Sequence, residues 1–284
     1  MNRTSISDIK MKAKDNLLGC YGLAAGSFAL LFALIYGLMM ILLGAFNAGV
    51  NPENVVSGNY SLLERIETDA ISWVVSLFMA ILTTGYYYQM MEISYNRKPK
   101  LRDLFYCFKN HPDKVIIIEA FFTAVAYVSM IPSRMVKVSL NNVLISGEGG
   151  EKFLLWIVLS LAGVLVSGVI GVIFSFSFFV YIDDPDMSVK DIMKCAQKLI
   201  KGNFFRYIYL CLTFVGYTLL GFVSLGITMM YTYPYQSMAI VELYKDSLRV
   251  AGRDIAGEDD GRKETDDGSE SEDGRPGSTI DVEI

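Results

Sequence analysis

The chain has 284 residues, of which 52% are hydrophobic and 19% charged, with a formal net charge of −5. A soluble domain is usually about 25% charged, so the composition leans toward a membrane. Its one histidine, His111, leaves histidine-based acid–base and metal chemistry almost no material. The charge is uneven: residues 253–284 hold 12 Asp+Glu and 4 Lys+Arg, a net of −8, whereas residues 1–252 carry a net of +3. There is no strongly basic surface beyond clusters flanking apolar segments, so no nucleic-acid partner is expected. The four cysteines (Cys20, Cys107, Cys195, Cys211) form no CxxC pair.

In chain order, the first apolar stretch runs from Tyr21 to Phe46. At 26 residues it exceeds the roughly 7–15 apolar residues of a signal peptide and reads as a retained first helix. A second helix is expected over Ile71–Ile93, with Trp73 and Tyr86–Tyr88 at its ends as an interfacial aromatic belt. A third covers Val115–Ile131 and stops at Pro132. A fourth covers Phe153–Ile182 and is long enough to tilt or protrude. The last apolar region, Tyr207–Tyr244, is too long for one span, and Gly221–Gly226 supplies a turn between two short helices. Beyond residue 252 the Asp, Glu, Gly and Ser content predicts a disordered acidic tail over 253–284.

Lys and Arg settle the orientation. With six helices, 17 basic residues fall on the side of the N-terminus and 4 on the other; with five, the split is 15 to 6. Both place the N-terminus in the cytoplasm, and six helices give the sharper asymmetry. All four cysteines then lie on or near the cytoplasmic side, which suits reduced thiols.

The segments before helices one, three and five resemble each other: SDIKMKAKDN (Ser7–Asn16), RDLFYCFKN (Arg102–Asn110) and KDIMKCAQKLIKGN (Lys190–Asn203). Each has Asp, then Ile or Leu, then an apolar residue four further on: Asp8-Ile9-Ala13, Asp103-Leu104-Phe108 and Asp191-Ile192-Ala196. Ser5-x-x-Asp8 and Ser188-x-x-Asp191 mark helix starts. The pattern predicts three units, each a short amphipathic interfacial helix followed by a hairpin of two spans. In the third, Ile192, Met193, Ala196 and Leu199 form one face, and Lys190, Lys194, Lys198 and Lys201 lie elsewhere. The fold class is therefore all-α: a polytopic transmembrane bundle, residues 1–252, with interfacial helices.

Several runs also resemble a known family. They are YIDDP (Tyr181–Pro185), KLIKGNFFRY (Lys198–Tyr207), LGITMMYTYPY (Leu225–Tyr235) and ELYKDSL (Glu242–Leu248), with Lys10, Ala13, Lys14 and Leu17 near the start. Together they resemble the bacterial membrane-protein family known as domain of unknown function 975. Asp184 stands where the family often has Asn, and Tyr217 where it has Trp. The resemblance implies a multi-pass protein of the bacterial cell membrane and no particular activity.

Glu119 sits about one turn inside helix three, where an ionisable group is costly without a partner. Lys114, Arg206 and Lys245 lie at suitable depths to pair with it. Glu92 and Glu242 lie at similar depths, so the three carboxylates are candidates for an ion or proton pathway. Their bland alternative is pairing with nearby lysines. Lys194, Lys198, Lys201 and Arg206 are candidates for contact with lipid or a partner. Gly163, Ser167, Gly171 and Ser175 recur every four residues, as small residues do where membrane helices pack closely or self-associate. Gly22 and Gly26 share that spacing in helix one. Asp183-Asp184-Pro185-Asp186 resembles a metal cluster but fits a helix stop better. No HExxH, GxSxG or P-loop occurs. The expectation is a non-enzymatic membrane protein without cofactor or metal, whose partners are the bilayer and other membrane proteins or copies of itself. It assembles or regulates cell-envelope components, or alternatively forms part of a transporter or channel that uses the inner-leaflet carboxylates.

Overall fold

The computed structural model describes residues 3–49, 62–143, 150–224 and 226–252. The acidic tail, 253–284, lies outside the described residues. Nine α-helices and one 3₁₀ helix occur among them, with no strand: α1 (Ile6–Leu17), α2 (Tyr21–Gly49), α3 (Leu62–Ser94), the 3₁₀ helix (Leu101–Phe108), α4 (Pro112–Val143), α5 (Gly150–Ile173), α6 (Ser177–Asp183), α7 (Val189–Lys201), α8 (Phe204–Val223) and α9 (Ile227–Val250). Five stretches are long and apolar enough to cross a membrane: Tyr21–Phe46, Ile66–Ser94, Pro112–Val136, Gly150–Asp183 and Phe204–Gly221. Their outward sides expose Phe32, Ile41, Leu154, Leu165, Leu212 and Leu219, as a bundle solvated by lipid does. Helix α9 completes a hairpin with α8, closed at Gly226 in the left-handed region (φ 89°). It is not among the five because its Thr, Tyr, Pro, Gln and Ser residues between Thr228 and Ser237, with the charges in its last turns, leave no stretch apolar enough.

Three sequence expectations are corrected. Helix three does not stop at Pro132: α4 continues through the proline to Val143. Proline is tolerated inside membrane-spanning helices more readily than in soluble ones. Helix four is broken, with α5 ending at Ile173 and α6 restarting at Ser177 after a tight turn at Phe174–Phe176. Tyr86 is not an interfacial anchor. It is fully buried, within ring-contact distance of Phe28 (6.4 Å) and Tyr233 (5.5 Å).

The three repeated segments share their starts. Asp8, Asp103 and Asp191 each occupy the third helical position. Ser5 and Ser188 accept the backbone N–H of Asp8 (3.1 Å) and Asp191 (3.3 Å), while Asp103 accepts that of Lys100 (2.6 Å). Ile9, Leu104 and Ile192 follow and are all buried. The second segment then departs from the four-residue spacing, because it is a 3₁₀ helix with three residues per turn. Cys107, three residues after Leu104, is buried, and Phe108 faces outward. Burial pushes the Cys107 thiol up to about 12, so it is inert at neutral pH. The apolar faces of all three segments lie against the protein. In α7 that face is Ile192, Cys195, Ala196, Leu199 and Ile200, with Met193 at its margin.

Helix α9 is the core of this end. From Ser237 to Tyr244 every residue is buried. Tyr233 stacks on Phe28 of α2 (4.4 Å), and Tyr244 meets Phe176 and Phe179 (5.4 Å each). Each such aromatic pair contributes about 0.5–1.5 kcal/mol beyond its burial. The 3₁₀ helix is seated by α3: Gln89 Nε2 donates to the Lys100 carbonyl (3.0 Å), and Gly85 allows the backbone at Leu104 to touch the helix. A Cβ at Gly85 would come within 1.9 Å of the Leu104 carbonyl oxygen. Gly85→Ala is therefore expected to destabilise the protein by about 1–3 kcal/mol, read as a lower melting temperature in detergent. Gly22→Ala, whose Cβ meets nothing within 4 Å, should leave it unchanged. Equal melting temperatures for the two variants would contradict this packing.

Candidate functional site

Two polar regions among the described residues differ in how well they are satisfied. The first is at the basic end, around Glu242 and Asp246 on one face of α9. Asp246 accepts from the Thr4 hydroxyl (2.7 Å), from Arg206 (2.7 Å) and from Arg249 (2.6 Å). Arg206 also donates to the Thr4 carbonyl (2.6 Å) and to Asn203 Oδ1 (2.6 Å). Glu242 accepts from Asn16 Nδ2 (2.9 Å) and from the Ser94 hydroxyl, and Lys245 Nζ lies 3.9 Å away. Lys245 in turn donates to the Ser94 carbonyl (3.0 Å). Burial alone would raise the Asp246 carboxyl; donation from Thr4, Arg249 and Arg206, with the charge of Arg206, outweighs it and holds the group below its ordinary value. The space left here is a cleft of about 60 Å³, enough for little beyond water.

Next to this cluster, the Asp-rich turn is held by its own bonds. Asp183 accepts from the Tyr244 hydroxyl, and Asp184 accepts the N–H groups of Asp186 and Met187 (3.1 and 3.2 Å). Lys114 Nζ donates to the carbonyls of Pro185 (2.6 Å) and Met187 (3.0 Å), and Tyr181 donates to the Asn110 carbonyl. No group of three or more His, Cys, Asp or Glu side chains is placed to hold a metal ion among the described residues.

The second region is a cavity of about 450 Å³, open on one side, between α3, α4, α5 and the start of α8. Glu119, Phe122 and Ala126 of α4 line it, with Ser76, Thr83, Thr84 and Tyr87 of α3, Ser167 and Gly171 of α5, Ser175 and Phe178 beyond, and Tyr207 of α8. Glu119 accepts from Thr123 (3.3 Å), which lies 3.4 Å from the Ser76 hydroxyl. Thr83 Oγ1 is shielded from solvent and has no hydrogen-bond partner among the described residues.

The three candidate pathway carboxylates are not brought together. Glu242 belongs to the basic-end cluster. Glu92 pairs with Arg97 at its rim (3.1 Å). Glu119 lies on the order of 20 Å from Glu242, judged along α3 at its helical rise. Lys114, Arg206 and Lys245 are all engaged elsewhere. Lys194, Lys198 and Lys201 are exposed, whereas Arg206 is turned inward onto Asp246. The small-residue row divides in two. A Cβ at Gly163 would meet the Ser129 carbonyl of α4 at 2.6 Å, so that position is a close helix contact, while Ser167, Gly171 and Ser175 line the cavity. Gly22 and Gly26 face open space. Thr4, Asn16, Ser94 and Asp246 were missed by sequence reasoning. They meet only through pairings across as many as 242 residues, such as Thr4 with Asp246, which no local spacing signals.

A depressed carboxyl stabilises the fold above its unfolded value near pH 4 and loses that contribution as pH falls through its folded value. Asp246→Asn is expected to cost about 3 kcal/mol at pH 7, because it leaves two arginines without their counter-charge. The gap between wild type and variant in thermal melts should narrow as pH is lowered from 5 to 2. A constant gap would contradict the assignment.

No curated protein and no solved structure matches the chain. Residues 1–250 match the family described as "Protein of unknown function (DUF975)". With nearly its whole helical part covered, the chain belongs to that family.

Proposed function

We propose that the protein is a non-enzymatic integral membrane protein that binds a ligand between its spans, as part of a transporter or channel. One observation carries this reading: a cavity of about 450 Å³, lined by hydroxyls, aromatic rings and one carboxylate, lies among helices apolar enough to cross a membrane. Its size and its mix of apolar walls with a few polar groups are those of a small-molecule site. The side chains a catalyst would draw on at the basic end are committed to one another instead. In this reading the membrane is a bacterial cell membrane. The basic α1, 3₁₀ and α7 segments face the cytoplasm, together with the N- and C-terminal ends of the chain.

A second reading, assembly or regulation of envelope components, has one observation in its favour. Lys190, Lys194, Lys198 and Lys201 are exposed at spacings of four, four and three, a single stripe opposite the buried face of α7. Such a stripe suits an acidic partner or anionic headgroups.

Gly171→Leu separates the two readings, because a Cβ there meets nothing within 4 Å and the longer side chain extends into the cavity that Gly171 lines. Purified wild type and variant are incubated with a solute and lipid extract of the source cells, washed, and analysed for retained small molecules by mass spectrometry. At least one compound should be retained by wild type and lost from the variant, with melting temperatures unchanged. Identical small-molecule profiles, with a stoichiometric protein partner on both, would favour the second reading and overturn the first.

A further inference from the structure

We infer that the ligand of this cavity is an organic cation: a substituted ammonium group with an apolar body, seated on Glu119. The inference rests on the binding reading above and goes further, to the charge and class of the ligand. Its basis is the imbalance between the two polar regions. At the basic end each buried carboxylate is met by cations and neutral donors from several elements. In the cavity Glu119 has a single side-chain donor among the described residues, the Thr123 hydroxyl at 3.3 Å. The three basic side chains of suitable depth are each held by other acceptors. A carboxylate among membrane helices without a counter-charge is costly to keep ionised. A bound cation removes that cost.

The walls specify what kind of cation. A metal ion needs several oxygen ligands around it, and the cavity brings one carboxylate and scattered hydroxyls. Four rings line the same space: Tyr87, Phe122, Phe178 and Tyr207. Phe122 and Phe178 lie 6.0 Å apart, centroid to centroid, and form one wall. Aromatic faces beside a carboxylate attract alkylammonium groups through the ring quadrupole while burying their carbon substituents. A neutral acyl chain would use the rings and leave Glu119 as it is, so charge is the property to test.

The probes are radiolabelled benzyltrimethylammonium, a permanent cation, and neopentylbenzene, its neutral counterpart of the same shape. Binding is measured by equilibrium dialysis to the full chain in nanodiscs of zwitterionic lipid, with empty discs subtracted. Wild type should bind the cation saturably and at least tenfold more tightly than the neutral probe. Glu119→Gln should weaken the cation at least tenfold and leave the neutral probe unchanged, while Glu119→Asp keeps part of the preference. The comparison of probes on wild type needs no variant, so a Glu119→Gln protein that fails to fold does not blunt the test. Equal affinity for both probes on wild type, abolished by Gly171→Leu, would overturn the cation and leave the cavity as a neutral site. Binding of neither probe would overturn the cation proposal, and an unchanged small-molecule profile in Gly171→Leu would separately overturn the binding reading.

Discussion

Two carboxylates in the buried stretch of α9 set the terms for one end of this protein. Glu242 and Asp246 are one turn apart on α9, both nearly fully buried, and like charges at that spacing repel. Ionised groups removed from water are tolerated only when paired and hydrogen-bonded. The partners come from elements distant in sequence: Thr4 ahead of α1, Asn16 within it, Ser94 at the end of α3, Arg206 on α8 and Arg249 on α9 itself. Satisfying the two charges therefore fixes α1, α3 and α8 against α9. The aromatic contacts of Tyr233 and Tyr244 add α2 and α6 to the same helix.

A chain tied in this way has a filled end and a larger space farther along its spans. The basic end leaves about 60 Å³ of space, and the region around Glu119 leaves about 450 Å³. Buried polar groups in folded proteins are almost always satisfied, and those that are not call for an explanation. The contrast between Asp246, with three donors, and Glu119, with one, is the imbalance on which the proposed binding site rests. Sequence position alone made Glu92, Glu119 and Glu242 look equivalent, since all three lie near the basic ends of their helices.

Much of the scaffold was legible in the sequence, for definite reasons. Hydropathy over 18 or more residues located the long helices, because a bilayer imposes length and apolarity together. The Asp at the third position of α1, the 3₁₀ helix and α7 marked their starts, because each carboxylate or its capping serine answers a free backbone N–H. The turn before α9 was visible in its glycines. Other features were not. Phe108 looked like the counterpart of Ala13 and Ala196 only while its segment was taken as an α-helix. Tyr86 looked interfacial because its environment is set by Phe28 and Tyr233, far away in the chain. The ion cluster was invisible because most of its partners, Thr4, Asn16, Ser94 and Arg206, come from far away in the chain. The cavity left one local trace, Ser167, Gly171 and Ser175, which resembled helix packing because small residues serve both to close a gap and to leave one.

Amide hydrogen exchange on the full-length protein in lipid nanodiscs, followed by mass spectrometry, tests most directly whether the two buried carboxylates of α9 organise this end. If they do, peptides from α1 and from residues 237–248 will share the slowest exchange in the protein. They will lose protection together in Asp246→Asn, while peptides lining the cavity exchange faster in both forms. If α1 exchanges freely while 237–248 stays protected in the wild type, the N-terminal helix is not held by those charges, and the account of how this end is built is wrong.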